Sequence, residues 1–305
     1  MKLPTLEILK TAYGKYGVAA FNVFNAEQIH GVFGGAELAG HPVIIQITPA
    51  ARKYLTHEFL QGIIESAAEI YPHANFSVHL DHGNVEHCIS AIESGFYDSV
   101  MIDASHEDFE KNISITSDIV KRAHDKNIAV EGELGVLSGV EDETSIDDEM
   151  SKYTNPTQVI EFVERTGCDF LAVAVGTSHG AYKMSGGKGI QLNILKEIQQ
   201  LLPGYPIVLH GASNVPKSEV ERINISGGNL QEDAKGVDEK ELLQAIRYGV
   251  TKINIATDMR LIWARVHREF FNNTPELFDP VIPGKKYIEE LKEFVNQKCK
   301  SLVIN

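Results

Sequence analysis

Short apolar stretches rich in β-branched residues recur along the chain and alternate with longer amphipathic stretches. Eight of the short stretches have the length and composition of buried strands: GVAAFNV, PVIIQI, FSVHLD, SVMID, AVEGEL, FLAVAVG, PIVLHG and KINIAT. Segments between them, such as EFLQGIIESAAEI and PTQVIEFVERTG, carry apolar residues at helical spacing. Continuous apolar strands separated by helices are typical of a parallel sheet that is buried on both faces.

Eight such units within roughly 250 residues match an α/β fold of the single (β/α)8 TIM-barrel type better than an open doubly wound sheet. No Gly-x-Gly-x-x-Gly follows the first strand, which disfavours a dinucleotide-binding fold. We therefore expect residues 1–305 to form one barrel domain. Polar segments at about 136–155 and 223–240 are predicted as long loops that serve as lids or subunit contacts.

The composition is that of a globular protein, with 43% hydrophobic and 23% charged residues. The 42 acidic residues against 28 basic ones give a formal net charge of −14, which argues against a nucleic-acid partner or an anionic membrane surface. No apolar run reaches the roughly 18 residues that a membrane span needs, and the segment MKLPTLEILK lacks a signal-peptide core. The three cysteines are far apart, which disfavours a disulfide framework. We expect a cytoplasmic protein.

Polar residues collect at the predicted carboxyl ends of the strands, which form one rim of a TIM barrel and carry its active site. Three of them are histidines in the matching steps DHG, SHG and LHG: His82, His179 and His210, called here the histidine cluster. Three neutral imidazoles and an open fourth position make a catalytic zinc site. The other nine of the 12 histidines, including His79, are interpreted as structural.

Carboxylates accompany the histidine cluster. Asp81 directly precedes His82, where it is placed for proton transfer or for a hydrogen bond to an imidazole. Asp103 and Glu133 end neighbouring strands. The interpretations open for them are a second metal position, a role in orienting the imidazoles, and an ordinary pairing with a base.

The last two strands supply a candidate phosphate site. The runs HGASNVP and NIATDMR place Ser213, Asn254 and Thr257 where barrels commonly bind phosphate, each run opening onto a predicted helix. Arg260 adds a positive charge with the geometry to bind a phosphate through two hydrogen bonds.

The motifs HLDHG, MIDASH, GELG, GTSHGAYK and LHGAS together resemble those of the class II, metal-dependent fructose-bisphosphate aldolases and their tagatose-bisphosphate relatives. The similarity extends from Tyr16 to Arg260. It implies a zinc-dependent lyase of glycolysis and gluconeogenesis that reversibly cleaves fructose 1,6-bisphosphate to dihydroxyacetone phosphate and glyceraldehyde 3-phosphate. A homodimer or homotetramer is implied as well, with small sugar phosphates as the other partners.

The resemblance also implies roles for the matching residues. Asp81 resembles the proton donor and acceptor, and Glu141, in the acidic run SGVEDE, resembles a mobile-loop acid that exchanges a proton of dihydroxyacetone phosphate. The histidine cluster resembles the catalytic zinc ligands, and Asp103 and Glu133 resemble the ligands of an alternative metal position. The substrate and phosphate set comprises Asn22, Thr48, Gly180, Lys183, Gly211, Ser213, Asn254, Thr257 and Arg260. The carbonyl groups expected near a monovalent cation, Na⁺ or K⁺, are those of Ser178, Gly180 and Gly211.

The preferred sugar stays open between fructose and tagatose 1,6-bisphosphate or another ketose bisphosphate. Fructose-type members usually carry an acid where this chain has Ala256, whereas the insertion GGNLQEDAKGV resembles longer fructose-type enzymes. Histidine ligands also accept cobalt or manganese.

Three other classes of protein are alternatives to a metal-dependent aldolase. A Schiff-base aldolase needs a lysine at a catalytic strand end, and Lys252 is instead expected at the far face. An amidohydrolase barrel usually has His-x-His on its first strand, where this chain has FNV. A phosphosugar-binding barrel without catalysis would need neither Asp81 nor three imidazoles.

Overall fold

The structure, a computed structural model, describes residues 1–137, 139–141, 144–146, 153–180, 189–231, 234 and 236–304, with the backbone alone for 139–141 and 144–146. The described strands, in chain order, are β1 (Val18–Asn22), β2 (Val43–Ile47), β3 (Phe76–Gly83), β4 (Ser99–Ile102), β5 (Ala129–Leu134), β6 (Gly139–Glu141), β7 (Thr144–Ile146), β8 (Phe170–Val173), β9 (Ile207–Leu209) and β10 (Val250–Ile255).

Helices lie between the strands and at both ends of the described chain. In chain order they are α1 (Thr5–Ala12), α2 (Ala26–Ala39), α3 (Pro49–Leu55), α4 (His57–Ile70), α5 (Val85–Ser94), α6 (Phe109–His124), α7 (Pro156–Thr166), α8 (Leu192–Leu201), α9 (Lys217–Ile225), α10 (Glu239–Arg247), α11 (Thr257–Asn273) and α12 (Val281–Ser301). In the part of the chain that the structure describes, none of these helices is both long and apolar enough to span a bilayer.

Eight of the strands close into a parallel barrel in the order β1-β10-β9-β8-β5-β4-β3-β2. Strand β1 closes it by pairing with β2 on one side and β10 on the other, where Val18 lies opposite Lys252 and Ala20 opposite Asn254. The predicted (β/α)8 barrel is therefore confirmed, and its eight strands coincide with the eight apolar stretches of the sequence. Because all eight strands run in the same direction, their carboxyl ends share one rim.

The other end of the barrel is covered by α1. Ile8, Leu9 and Ala12 of this helix pack against inward-facing residues of the strands, including Val18 and Phe170, in an apolar cluster separate from the main core. The main core fills the space between the sheet and the surrounding helices. With its amino-terminal end occupied by α1, the barrel offers its polar side chains at the carboxyl-terminal rim.

The two segments predicted as long loops differ from the prediction. The first contains a pair of short strands, and the second is shortened by the helices on either side of it. Strands β6 and β7 form a short antiparallel pair within the first segment, with Gly139 opposite Ile146. In the second segment α9 continues to Ile225, and α10 begins at Glu239. The described loop residues there lie between these two helices.

A buried arginine ties three helices together beside the barrel. Arg265 of α11 has a side chain only 2% exposed, and its Nε donates to Glu219 of α9 at 2.6 Å. Its two terminal nitrogens bind Glu269, at 3.2 Å, and Glu290 of α12. These contacts satisfy the guanidinium in three directions.

We expect Arg265→Ala to lower the free energy of unfolding by about 2–3 kcal/mol, since three carboxylates lose a shared partner while solvent screens part of the loss. Arg222→Ala is the matched control, because Arg222 binds the same Glu269 but its side chain is 47% exposed. That control should cost less than about 1 kcal/mol. Urea denaturation of both variants measures the difference, and equal losses would contradict it.

Candidate active site

Strand β3 delivers Asp81 and His82 to the rim through a local irregularity. In a regular strand two consecutive side chains point to opposite faces. Here the pairing of β3 with β4 shifts register between Leu80 and Gly83, and His82 has a φ of +49°. A shift of this kind re-aims a side chain. It allows Asp81 to face the barrel interior while His82 joins the metal-ligating candidates.

The structure brings the histidine cluster together from three strands. His210 directly follows β9, whereas His179 lies in the loop six residues beyond Val173, the last residue of β8. Each residue offers a ring nitrogen within 4.8 Å of the nitrogens of the other two. The ring centroid of His179 is 5.3 Å from that of His82 and 5.8 Å from that of His210.

Carboxylates contact two of these rings at the ring nitrogen that points away from the other histidine. His82 Nδ1 lies 2.9 Å from Asp103 Oδ2, and His210 Nε2 lies 2.8 Å from Glu131 Oε1. Because an ionised carboxylate only accepts hydrogen bonds, each ring carries its proton on that side. If both rings are neutral, the opposite nitrogens, His82 Nε2 and His210 Nδ1, face each other at 3.0 Å with their lone pairs. A cation is the natural partner of such an arrangement, so the donor set fits a metal.

A second group of potential ligands shares His82 and adds Asp103 and Glu133. Burial would raise the pKa of Asp103, but hydrogen bonds from His82 and from Ser105 hold that pKa well below its usual range. Burial and the neighbouring Asp103 charge raise the pKa of Glu133 well above its usual range. A divalent cation would neutralise this carboxyl pair. Because His82 belongs to both groups, the two metal positions would be alternatives.

Asp81 is fully buried and held by side-chain amides. Asn22 Nδ2 donates to Oδ2 at 2.7 Å, and Asn254 Nδ2 donates to Oδ1 at 3.3 Å. Gln46 Nε2 donates to Asn22 Oδ1 at 2.9 Å and lies 3.5 Å from Asp81. These neutral donors fix the orientation of the carboxylate. Sequence reasoning missed Gln46, although a polar residue inside the apolar run PVIIQI was an available signal.

The candidate phosphate residues lie where the β9 loop meets the start of α11. Ser213 Oγ accepts the backbone N–H of Ala256 at 3.3 Å and that of Thr257 at 3.2 Å. The buried Asp258 accepts the N–H groups of Asn214 and Val215 in return. These bonds fasten the loop to the amino terminus of a 17-residue helix, whose dipole favours an anion.

The remaining candidate residues differ in how they are engaged. Arg260 lies over the ring of Phe24, with Cζ 4.6 Å from the ring centroid. Thr48 uses its hydroxyl to cap α3, accepting the N–H of Ala51 at 3.2 Å. Gly180 has a φ of +82°. Lys183 lies outside the described residues, and so does the side chain of Glu141, whose backbone belongs to β6.

Beneath the rim lies a buried charged group that the sequence analysis did not recognise. Glu131 of β5 and Lys252 of β10 are fully buried, with Oε2 and Nζ 2.9 Å apart. Lys252 thus lies inside the barrel, which corrects the expectation that it faces the far end. His79, interpreted as structural, has its Nε2 3.3 Å from the same Oε2. Burial alone would raise the pKa of Glu131, but Lys252 and the two histidines hold it well below its usual range.

The arrangement defines a (β/α)8 barrel with a candidate metal centre on its carboxyl-terminal rim, and comparison with known proteins gives the family. The family model described as "Fructose-bisphosphate aldolase class-II" matches residues 4–304. A fructose-bisphosphate aldolase of Thermus caldophilus is 41% identical over 303 residues, covering 99% of this chain and 96% of the relative. One from Giardia intestinalis is 43% identical over 283 residues, covering 91% and 86%.

Solved structures agree with this. The YdjI aldolase from Escherichia coli K12 superposes with a TM-score of 0.79 at 29% identity, covering 99% of this chain and 97% of that one. A Coccidioides immitis protein, 24% identical with a TM-score of 0.82, shows the same fold. The chain belongs to the class II fructose-bisphosphate aldolase family. Membership confirms the predicted enzyme class, a lyase, and implies a divalent metal cofactor.

We expect Gly211→Ala to weaken metal binding at the histidine cluster by about tenfold or more, through displacement of the adjacent His210. A Cβ on Gly211, at φ +61°, would lie 2.4 Å from the carbonyl oxygen of Ser178 and push the two loops apart. The matched control is Gly95→Ala, at φ +67° with no atom within 4 Å of its Cβ. Competition with a chromophoric chelator compares the two variants. Equal affinities would refute the close-approach argument.

Proposed function

We propose that this chain catalyses the zinc-dependent, reversible aldol cleavage of fructose 1,6-bisphosphate to dihydroxyacetone phosphate and glyceraldehyde 3-phosphate. The observation that carries the proposal is that Asp81 and His82 are consecutive residues at the end of one strand. The end of one strand, β3, supplies both an oriented carboxylate and one of the ring nitrogens that together fit a metal. This combines a proton-transfer group and a Lewis-acid position at one rim.

A zinc ion held by the histidine cluster would supply Lewis-acid chemistry toward the carbonyl oxygen of the open-chain sugar. The chain's own residues handle the protons. Asp81 takes the proton of the C4 hydroxyl, the C3–C4 bond breaks, and the O–H electron pair becomes part of the aldehyde C=O bond. The electron pair of the broken bond stays on C3. Glu141 then delivers a proton to C3, which completes dihydroxyacetone phosphate.

The amide network supports the first proton transfer by holding Asp81 in one orientation. Asn22 and Asn254 donate to different oxygens of the carboxylate, so rotation of the group would break one bond or the other. A fixed base close to its proton is what general-base catalysis requires. In the reverse reaction the same carboxyl returns its proton to the new C4 oxygen.

Substrate phosphates are proposed to bind at the start of α11 and the neighbouring loops. Thr257 and Ser213 line this helix terminus, and Arg260 and Lys183 add positive charge. Carbonyl groups of Ser178, Gly180 and Gly211 are the proposed ligands of a monovalent cation. The close approach of Gly211 to the Ser178 carbonyl supports this grouping.

Several expectations remain part of the proposal. We infer one barrel domain over residues 1–305, a cytoplasmic location, a glycolytic or gluconeogenic role and a homodimer or homotetramer. These rest on family membership and composition. Tagatose 1,6-bisphosphate is the alternative substrate, which Ala256 favours because the usual acid of fructose-type members is missing there.

Asp81→Ala should retain zinc yet lose cleavage activity by about 10²–10⁴-fold, since it removes the base but none of the histidines. Asp81→Asn, which keeps the size of the side chain, should likewise retain zinc and lose cleavage activity. Zinc content by atomic absorption and cleavage by a coupled assay of the triose phosphates measure the two properties. Near-normal turnover in either variant would exclude Asp81 from the mechanism.

The wild-type enzyme should cleave fructose 1,6-bisphosphate when loaded with zinc and lose activity after treatment with a chelator. Tagatose 1,6-bisphosphate is measured alongside, with and without zinc, and the faster sugar identifies the C4 configuration that the site accepts. Turnover that resists complete metal removal would contradict the metal-dependent reaction. Failure to cleave either sugar with zinc bound would contradict the bisphosphate aldolase assignment.

A further inference from the structure

The charged group beneath the histidine cluster consists of Glu131, Lys252 and His79, here called the buried triad. Their side chains are fully buried and come from β5, β10 and β3. A buried ion pair is costly to desolvate and is often replaceable by apolar residues without loss of stability. One that contacts a candidate metal ligand therefore invites a functional explanation.

The two oxygens of Glu131 face different partners. Oε1 lies 2.8 Å from His210 Nε2. Oε2 lies 2.9 Å from Lys252 Nζ and 3.3 Å from His79 Nε2. Nδ1 of His79 is 2.7 Å from the hydroxyl of Ser99. Since that nitrogen can accept the hydroxyl proton, Nε2 of His79 is free to carry a proton toward Glu131.

We propose that Glu131 and Lys252 are positioning residues that fix the tautomer of His210. Glu131 accepts the Nε2 proton and leaves the Nδ1 lone pair directed at His82 and the metal position. Lys252, with His79, occupies the opposite oxygen and fixes which face of the carboxylate meets His210. The hydrogen bond on one ring nitrogen decides which nitrogen remains available as a ligand. The metal consequence rests on the proposed zinc site, whereas the tautomer itself does not.

The geometry makes an unusual prediction for Glu131→Gln. An amide has one oxygen and one NH₂ group, and the Oε2 side lies beside the positive charge of Lys252, 2.9 Å away, and His79 Nε2, 3.3 Å away. The amide oxygen must therefore turn to that side, and its NH₂ group must turn toward His210. A donor opposite Nε2 forces that nitrogen to become an acceptor, so the proton moves to Nδ1. His210 then loses the lone pair that would bind the metal.

Removal of Lys252 should reverse this effect. In the double variant Glu131→Gln with Lys252→Met, the ammonium no longer competes for the amide oxygen. The oxygen can rotate to accept the Nε2 proton of His210. The NH₂ group then takes the other side, where His79 Nε2 accepts from it once His79 carries its proton on Nδ1, facing the Ser99 hydroxyl. A merely structural ion pair would behave differently, because its substitution would change the stability of the fold while the tautomer of His210 stayed the same in the single and double variants.

The test compares four proteins, labelled with ¹⁵N-histidine: wild type, Glu131→Gln, the double variant, and Asp169→Asn. Asp169 is a matched control, because it binds His124 Nε2 at 2.9 Å and the N–H of Val130 but stands before β8, at the opposite end of the barrel. Long-range ¹H–¹⁵N correlation spectra of the metal-free proteins identify the tautomer of His210. A His210→Gln sample assigns its signals. Competition with a chromophoric chelator gives the zinc affinity of each protein.

We expect the Nε2–H tautomer in the wild type and in the control, and the Nδ1–H tautomer in Glu131→Gln. Zinc affinity should fall about 10–100-fold in Glu131→Gln and recover substantially in the double variant. Unchanged His210 signals in Glu131→Gln, or a double variant weaker than the single one, would overturn the proposal.

The wild-type spectrum alone is decisive if Glu131→Gln does not fold. A metal-free wild type with His210 protonated at Nδ1 would refute the proposed role of Glu131. Failure of the proposed zinc site can be distinguished from failure of this positioning role. A wild type that binds no zinc but keeps the Nε2–H tautomer would refute the zinc site and leave the positioning role intact.

Discussion

Pairing of β1 with β10 is the interaction on which the rest of the molecule depends. Four residues of β1, from Val18 to Phe21, lie in register with Lys252 to Ile255, and this seam turns an open sheet into a barrel. Without closure, Asn22 and Asn254 would not both reach Asp81 on β3. Each chemical group at the rim is distant in sequence from its partners. The hydrogen-bonded circle of strands is what makes them neighbours.

Closure also sorts the barrel interior along its axis. Near α1 the inward side chains are apolar, such as Val18 and Phe170. Further along come the charged side chains of the buried triad, and at the rim come Asp81, its amides and the histidine cluster. The electrostatic environment thus changes within a few residues of each strand. The buried triad, midway along the barrel axis, therefore acts on the rim residues while it stays inaccessible to solvent.

The strands and the histidine cluster were predictable because each leaves a local signature: an apolar run of strand length, and a histidine followed by glycine at the end of the strand or, for His179, in the loop after it. Asp103 and Glu133 were placed correctly for the same reason. The register shift at His82 was not predictable, since it depends on how β3 pairs with β4. Lys252 and Glu131 were misread or missed because a single polar residue in an apolar strand does not reveal its partner on another strand. Gln46 was missed for the same reason.

The helix α1 has a consequence for traffic through the site. Because Ile8, Leu9 and Ala12 cover the amino-terminal end and side chains fill the interior, the rim site can be reached only from the carboxyl-terminal side of the barrel. Every ligand of the site therefore enters and leaves on the side opposite α1.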